Sequence, residues 1–275
     1  SLQTMTADPA TAPTAELVTE SDGILTIAIS SDAPGNPLND DALSAGAAAL
    51  REIARGERRV GVILLKGPGA NFCAGGNVRD FASAAHRPTF LREIADNFHA
   101  FVSALHEADR PVVAAVKGWA AGAGMSIVTH ADVAIGGTST KMRPAYRGIG
   151  LSPDGGMTWT LPRIVGAARA RQIILTDPVI DADKALSWGL LSDIVADDEV
   201  DSTALATAAK IAAGPWQSDG AARALLTRSA TSTLGDQLAA EAQSISALSA
   251  APEGIEGVDA FVAKRKPDFA AARNA

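Results

Sequence analysis

Two apolar runs, each followed at once by a glycine-rich turn, restrict this chain more than any other feature. Val60–Lys66 (VGVILLK) and Val112–Val116 (VVAAV) are rich in β-branched residues and show no alternating polar face. Such runs read as strands covered on both sides, the kind that builds parallel sheets. The first breaks at Lys66–Ala70 (KGPGA) and leads into Asn71–Asn77 (NFCAGGN), and the second leads into Gly118–Gly124 (GWAAGAG). A small-residue helix over Met125–His130 and a third strand over Ala131–Ile135 are expected next. Strand, turn, helix and strand in succession predict an α/β fold with right-handed crossovers.

Leu17–Thr19 and Ile24–Ser30 flank Ser21-Asp22-Gly23 and read as a hairpin. Asn39 or Asp40 can cap a helix reaching Ile53, and Phe90–Ala108 gathers Ile94, Phe98, Phe101, Val102 and Leu105 on one helical face. Residues 1–15 are small, polar and proline-containing and read as a disordered leader. Residues 16–200 read as the core that carries the site. Residues 201–275 read as alanine-rich helices that pack on the core or on a neighbouring subunit.

A net charge of −7 argues against general attraction to nucleic acid or anionic lipid. No apolar stretch is long enough to span a bilayer, and Cys73, the only cysteine, has no disulfide partner within the chain. The chain reads as a soluble cytoplasmic protein. No His, Cys and carboxylate group has metal-ligand spacing, so no metal is expected.

The two turns suit one kind of chemistry. A thioester carbonyl that becomes an enolate needs two backbone N–H donors aimed at its oxygen. Turns without side chains, and the unpaired amides at the start of a helix, supply such donors. Neighbouring parallel strands would deliver both turns to one sheet edge, where α/β proteins bind ligands. Glycine is also the ordinary route to positive φ, so either turn alone reads first as a turn and nothing more, and it is the two together, each after a strand, that point to function. Neither is a nucleotide loop, since no G-x-x-x-x-G-K-[ST] run occurs and Gly122-Ala123-Gly124 lacks the G-x-G-x-x-G spacing.

Phe72-Cys73-Ala74-Gly75-Gly76-Asn77 resembles the F-x-A-G-x-D segment of the crotonase (enoyl-CoA hydratase/isomerase) superfamily. Ala115–Gly124 (AVKGWAAGAG) resembles that family's A-V-x-G-x-A-x-G-G-G segment, and Ala131-Asp132 resembles its C-D pair. The matches run in order from about residue 17 to the C-terminus. The resemblance implies a spiral of β-β-α units followed by a C-terminal helical trimerisation region, assembled as a homotrimer or a dimer of trimers. It implies an acyl-CoA thioester as substrate, no separate cofactor, and an oxyanion hole formed by the backbone amides of Gly76 and Ala123. By the same resemblance, Cys73, Ala74, Gly75, Gly122 and Tyr146 border the substrate. Phe261 and Lys264 lie in a stretch similar to the family's F-x-x-K-R-K and are implied to contact CoA, often from a neighbouring subunit. Asn77 stands where the family has aspartate and Ala123 where it has glycine, though at Ala123 only the amide is needed.

Hydratases of the family commonly use two glutamates, and the matching positions here are Ser126 and Tyr146. Neither is a carboxylate. Instead Gly150–Gly156 (GLSPDGG) places Asp154 ahead of a helix expected over Gly155–Leu161. An aspartate there reads as an N-cap worth about 1 kcal/mol. The resemblance implies a different role, the acid/base carboxylate of the family's isomerases, including those acting on ring-opened phenylacetyl-CoA derivatives.

The first reading is therefore an enoyl-CoA double-bond isomerase. A hydratase, another lyase of the family, or a dehalogenase with Asp154 as nucleophile comes second. The dehalogenase would need a histidine base, and His86 and His99 cannot be placed from sequence. A non-catalytic acyl-CoA-binding or RNA-binding member comes third, with the acidic charge arguing against RNA. His106 and His130 fall among apolar helical residues and read as structural. Trp119 and Trp159 either wall an acyl pocket or fill the core, and Tyr146, the only tyrosine, has a hydroxyl to lend to the site.

Overall fold

The computed structural model describes residues 16–275, so the leader expected over residues 1–15 lies outside the described residues. The hairpin forms as β1 (Val18–Ser21) and β2 (Ile24–Ala28), which turn through Asp22 and Gly23, both at positive φ. Helix α1 (Asp40–Ala54) starts at Asn39, whose side chain accepts from the amides of Asp41 and Ala42. That cap satisfies two of the donors a helix start leaves unpaired. The first buried run is β3 (Val62–Lys66), and its turn leads into α2 (Val78–Ser83) and α3 (Arg87–Glu107).

The second buried run is β4 (Val112–Val116). Here the expected plain turn is corrected. It contains a short strand, β5 (Trp119–Ala121), and helix α4 (Ala123–Val128) begins at Ala123 rather than Met125. A run of alanines carries little strand propensity of its own, and the strand exists because tertiary pairing supplies its partners. The chain continues through β6 (Val133–Gly137), β7 (Lys141–Arg143), a 3-10 turn at Arg147–Ile149, α5 (Met157–Val165) and α6 (Ala167–Thr176). Then come β8 (Ile180–Asp181), α7 (Ala182–Ser187) and β9 (Asp193–Val195).

The strands form a six-stranded sheet in the order β1-β2-β3-β4-β6-β9 and a three-stranded sheet in the order β5-β7-β8. Apart from the β1 hairpin, every pairing in the larger sheet is parallel. Strands β4 and β6 lie in the larger sheet, while their successors β5 and β7 lie in the smaller one, and a helix follows each pair. Cys73 bridges in parallel to Ala120, so the unit that starts with β3 has the same form. This repetition is the spiral of β-β-α units, and it sets the turns after β3 and β4 side by side.

Residues alternate across a strand, and both faces of the larger sheet are covered. Leu25, Ile27, Ile63, Leu65, Val112 and Ala114 join Leu43 and Leu50 of α1 and Phe98, Phe101 and Leu105 of α3 in one core cluster. Ile24, Val62, Leu64, Val113 and Ala115 face α8 (Val200–Ala212). Ala204, Ala208 and Ala212 recur every fourth residue, so this helix lays a smooth stripe of small side chains on the sheet.

The remaining helices are α9 (Trp216–Ser229), α10 (Leu234–Ser249), α11 (Pro252–Val262) and α12 (Phe269–Asn274), the last not anticipated. A buried ion pair between Arg273 and Glu253 ties α12 to α11. The Arg273 guanidinium stacks 3.9 Å from the Trp216 ring, and Glu253 accepts the Trp216 amide at 2.9 Å. These helices expose Leu226, Leu234, Ile245, Phe261 and Val262. Among the described residues no helix is long and apolar enough to cross a membrane.

Candidate active site

The two glycine turns meet. A Cβ built on Gly122 would lie 3.4 Å from the Gly75 Cα, and both residues are at positive φ. Gly124 admits no side chain at all, since its Cβ would fall 2.1 Å from the Cys73 carbonyl oxygen. Asn36 and Asn71 brace the approach. The Asn71 amide donates to Asn36 Oδ1 at 3.1 Å, and the Trp119 amide donates to Asn71 Oδ1 at 2.9 Å. Sequence reasoning missed both, because asparagine in a loop is too common to be a signal.

Peptide planarity then aims two amides. In a trans peptide the C=O and N–H of one plane point opposite ways. The Gly75 carbonyl accepts from the Leu38 amide at 2.8 Å, so the Gly76 N–H points away from Leu38. The Gly122 carbonyl accepts from the Ser126 amide at 3.0 Å inside α4, so the Ala123 N–H points out of the helix N-terminus. Neither amide donates to an acceptor among the described residues. Gly76 and Ala74 border a cleft of about 520 Å³ beside Ala33–Pro37, and a neighbouring cleft of about 430 Å³ runs from Gly76 to Phe81, Phe90 and Ile94. Both volumes lie in the range that holds small ligands.

Asp154 borders neither of these two clefts and is held against α4. The helix after it is α5, whose first residue is Met157 and whose N-cap position is Gly156, with no side-chain capping bond. The N-cap reading of Asp154 is therefore corrected, because its side chain is engaged elsewhere. Tyr146 Oη donates to Asp154 Oδ1 at 2.6 Å, and Ser126 Oγ, 3.1 Å from Tyr146 Oη, donates to the Asp154 carbonyl at 2.9 Å. Gly155 lets the chain come this close. It has φ +66°, and a Cβ there would sit 2.4 Å from Phe98 Cε1 and 2.8 Å from Ser126 Cβ. Ser126, which bonds the Asp154 carbonyl, lies three residues beyond Ala123 on α4, about one helical turn away.

The three matched positions therefore converge, with the Tyr146 hydroxyl on the Asp154 carboxylate and the Ser126 hydroxyl on its backbone carbonyl. Burial, the Asp154 charge and the hydrogen bond to Asp154 all push the Tyr146 phenol well above its ordinary value. It stays protonated at neutral pH and serves as a donor rather than a base. Tyr146 is the only tyrosine, so tyrosinate absorbance near 295 nm reports it alone. We expect that signal only well above the ordinary tyrosine pKa of about 10, with an earlier onset in Asp154→Asn, which removes the nearby negative charge. An ordinary onset in the wild-type protein, unmoved by the substitution, would contradict the contact.

Other expected residues fall differently. Cys73 is fully buried, and burial pushes its thiol up to about 12. Its side chain borders no ligand space, and its place in the site is as backbone that pairs with β5. Gly75 and Gly122 shape the turns. Phe261 is 85% exposed on α11, Lys264 follows that helix at φ 56°, and neither borders the clefts beside Gly76. Trp159 is exposed with the Arg163 guanidinium 3.7 Å from its ring, so it fills no core. His86 caps α3 by accepting from the Thr89 amide. His99 accepts from the Gly155 amide at 2.9 Å, a contact that nothing in the sequence signalled.

Comparison with known proteins agrees with this architecture. The family model described as enoyl-CoA hydratase/isomerase matches residues 19–272. The 1,2-epoxyphenylacetyl-CoA isomerase of Escherichia coli is 32% identical over 249 residues, covering 90% of this chain and 95% of that protein. A Rhodobacter capsulatus protein bearing the name "Probable enoyl-CoA hydratase" is 37% identical over 250 residues, with the same coverage of 90% and 95%. The crystal structure of an enoyl-CoA hydratase from Polaromonas superposes with a TM-score of 0.85 at 28% identity, covering 91% of this chain and 97% of that one.

Proposed function

The chain belongs to the enoyl-CoA hydratase/isomerase family, and from that premise we propose that it moves a carbon–carbon double bond within an acyl-CoA thioester, with Asp154 as its acid/base group. The observation that supports this reading is that Asp154, the one carboxylate of the three matched positions, is held by Tyr146 at its carboxylate and by Ser126 at its carbonyl. Hydration by the family's pair of carboxylates has neither group at its matched positions, which are Ser126 and Tyr146.

The thioester oxygen sits between the amides of Gly76 and Ala123, which strengthen their hold as charge develops on it. The Asp154 carboxylate takes a proton from C2 of a 3-enoyl thioester, and the C–H electron pair moves into the carbonyl to form a dienolate. The protonated Asp154 then returns the proton at C4, the C2–C3 double bond forms, and the carboxylate is regenerated. Tyr146 orients the carboxylate through its hydroxyl. The shift is redox-neutral, so the thioester is the only small molecule it consumes. Assembly as a trimer, or a dimer of trimers, through the apolar faces of the C-terminal helices is part of the same proposal. A dehalogenase reading is less well supported, because the His99 Nε2 lone pair is committed to the Gly155 amide rather than free to act as a base.

Incubation with 3-enoyl-CoA and 2-enoyl-CoA thioesters tests the reading. Interconversion of the two with little 3-hydroxyacyl-CoA is the expected outcome. Hydroxyacyl-CoA as the principal product would replace isomerase by hydratase.

A further inference from the structure

Two of the four histidines of this chain, His99 and His130, meet at Gly155, the residue that directly follows Asp154, and a third, His106, backs His130. The Gly155 amide donates to His99 Nε2 at 2.9 Å. The Gly155 carbonyl lies 2.7 Å from His130 Nε2, and His130 Nδ1 lies 2.8 Å from His106 Nε2. A carbonyl can only accept, so His130 Nε2 carries a proton. In a neutral ring its Nδ1 is then the acceptor, and His106 Nε2 must be the donor. The same logic leaves His106 Nδ1 bare, and it has no partner among the described residues. His99, which accepts at Nε2, must carry its proton on Nδ1.

The surroundings keep the pair neutral. Burial, His130 and Arg223 hold His106 down to about 4, and burial lowers His130 as well. Arg223, on α9, is itself paired with Asp132 at 2.9 Å. An imidazolium here would lie in a buried site beside a guanidinium.

The Asp154 turn needs such support. Gly155 and Gly156 are both in the left-handed region, at φ +66° and +81°, and consecutive glycines are the residues with most backbone freedom to lose. Ser126 on the Asp154 carbonyl and His99 on the Gly155 amide hold the two ends of one peptide plane, and His130 holds the next plane. We propose that His130, backed by His106, is a positioning residue that fixes the Asp154 carboxylate by clamping the Gly155 carbonyl. This inference rests on the reading of Asp154 as acid/base.

His130→Ala should lower kcat for 3-enoyl-CoA isomerisation by about 10–100-fold, the scale of a misplaced reacting group, with KM changed less than about twofold. His130→Gln keeps a donor near the Nε2 position and should recover activity to within about threefold of wild type. In an Asp154→Asn background, His130→Ala should cause no further loss, because the group it positions is gone. Nitrogen NMR of the intact protein at neutral pH should show His130 and His106 as Nε2–H tautomers and His99 as the Nδ1–H tautomer. The tautomer measurement stands even if the alanine variant fails to fold. Unchanged kcat in His130→Ala, equal losses in the Ala and Gln variants, or a His130 protonated at Nδ1 would overturn the proposal. Full activity of Asp154→Asn would instead overturn the acid/base reading, whatever the histidine variants do.

Discussion

Asp154→Asn should lower double-bond migration by about 10²–10⁴-fold, the range that a positioned general acid/base contributes. The amide keeps the shape of the side chain and can still meet Tyr146 Oη, now 2.6 Å from Oδ1, so affinity for the CoA thioester should change little. The loss therefore belongs in kcat rather than KM, the pattern of an interaction made in the transition state. Steady-state kinetics with a 3-enoyl-CoA, together with a binding measurement using a saturated acyl-CoA, separates the two. A loss confined to KM would mean that Asp154 binds substrate and does not react with it.

Deleting either oxyanion donor should cost about 100-fold or more in kcat. Ala123→Pro is the cleaner substitution. Ala123 is the first residue of α4, a position where proline is well tolerated because the missing N–H has no helical partner. The helix should remain while the donor is replaced by a methylene. Gly76→Pro removes the other donor, and its ring must also pass Phe81, since even a Cβ at Gly76 would lie 2.9 Å from Phe81 Cζ. Circular dichroism and thermal unfolding check that both variants fold. Folded proline variants with full turnover would place the thioester oxygen elsewhere.

The sequence made the fold legible where apolar periodicity and glycine were strong. Val112–Val116 was delimited to the residue, and the Asn39 cap was readable because a cap is a local arrangement of side chain and backbone. Strand β5 was not legible, because Trp119–Ala121 becomes a strand only by pairing with Lys141–Arg143. The candidate site divides the same way. Gly75, Gly76 and Gly122 could be found in sequence because their turns need glycine. The Tyr146–Asp154 contact was not, because the intervening segment, a 3-10 turn at Arg147–Ile149 followed by loop, carries no periodicity that fixes which side chains face each other. The histidine cluster was least visible. His106 sits on α3 and His130 in the turn after α4, and only tertiary packing brings His99 and His130 to Gly155 with His106 behind His130.

The central claim is that Asp154 and the two turn amides together generate an enolate. Deuterium exchange at C2 of a saturated or 3-enoyl thioester in heavy water tests it most directly, because it reads enolate formation apart from any later step. Wild-type protein should catalyse the exchange, Asp154→Asn should show about 1% of that rate or less, and Ser126→Ala should keep most of it. Equal exchange by wild type and Asp154→Asn would remove Asp154 as the base and contradict the account.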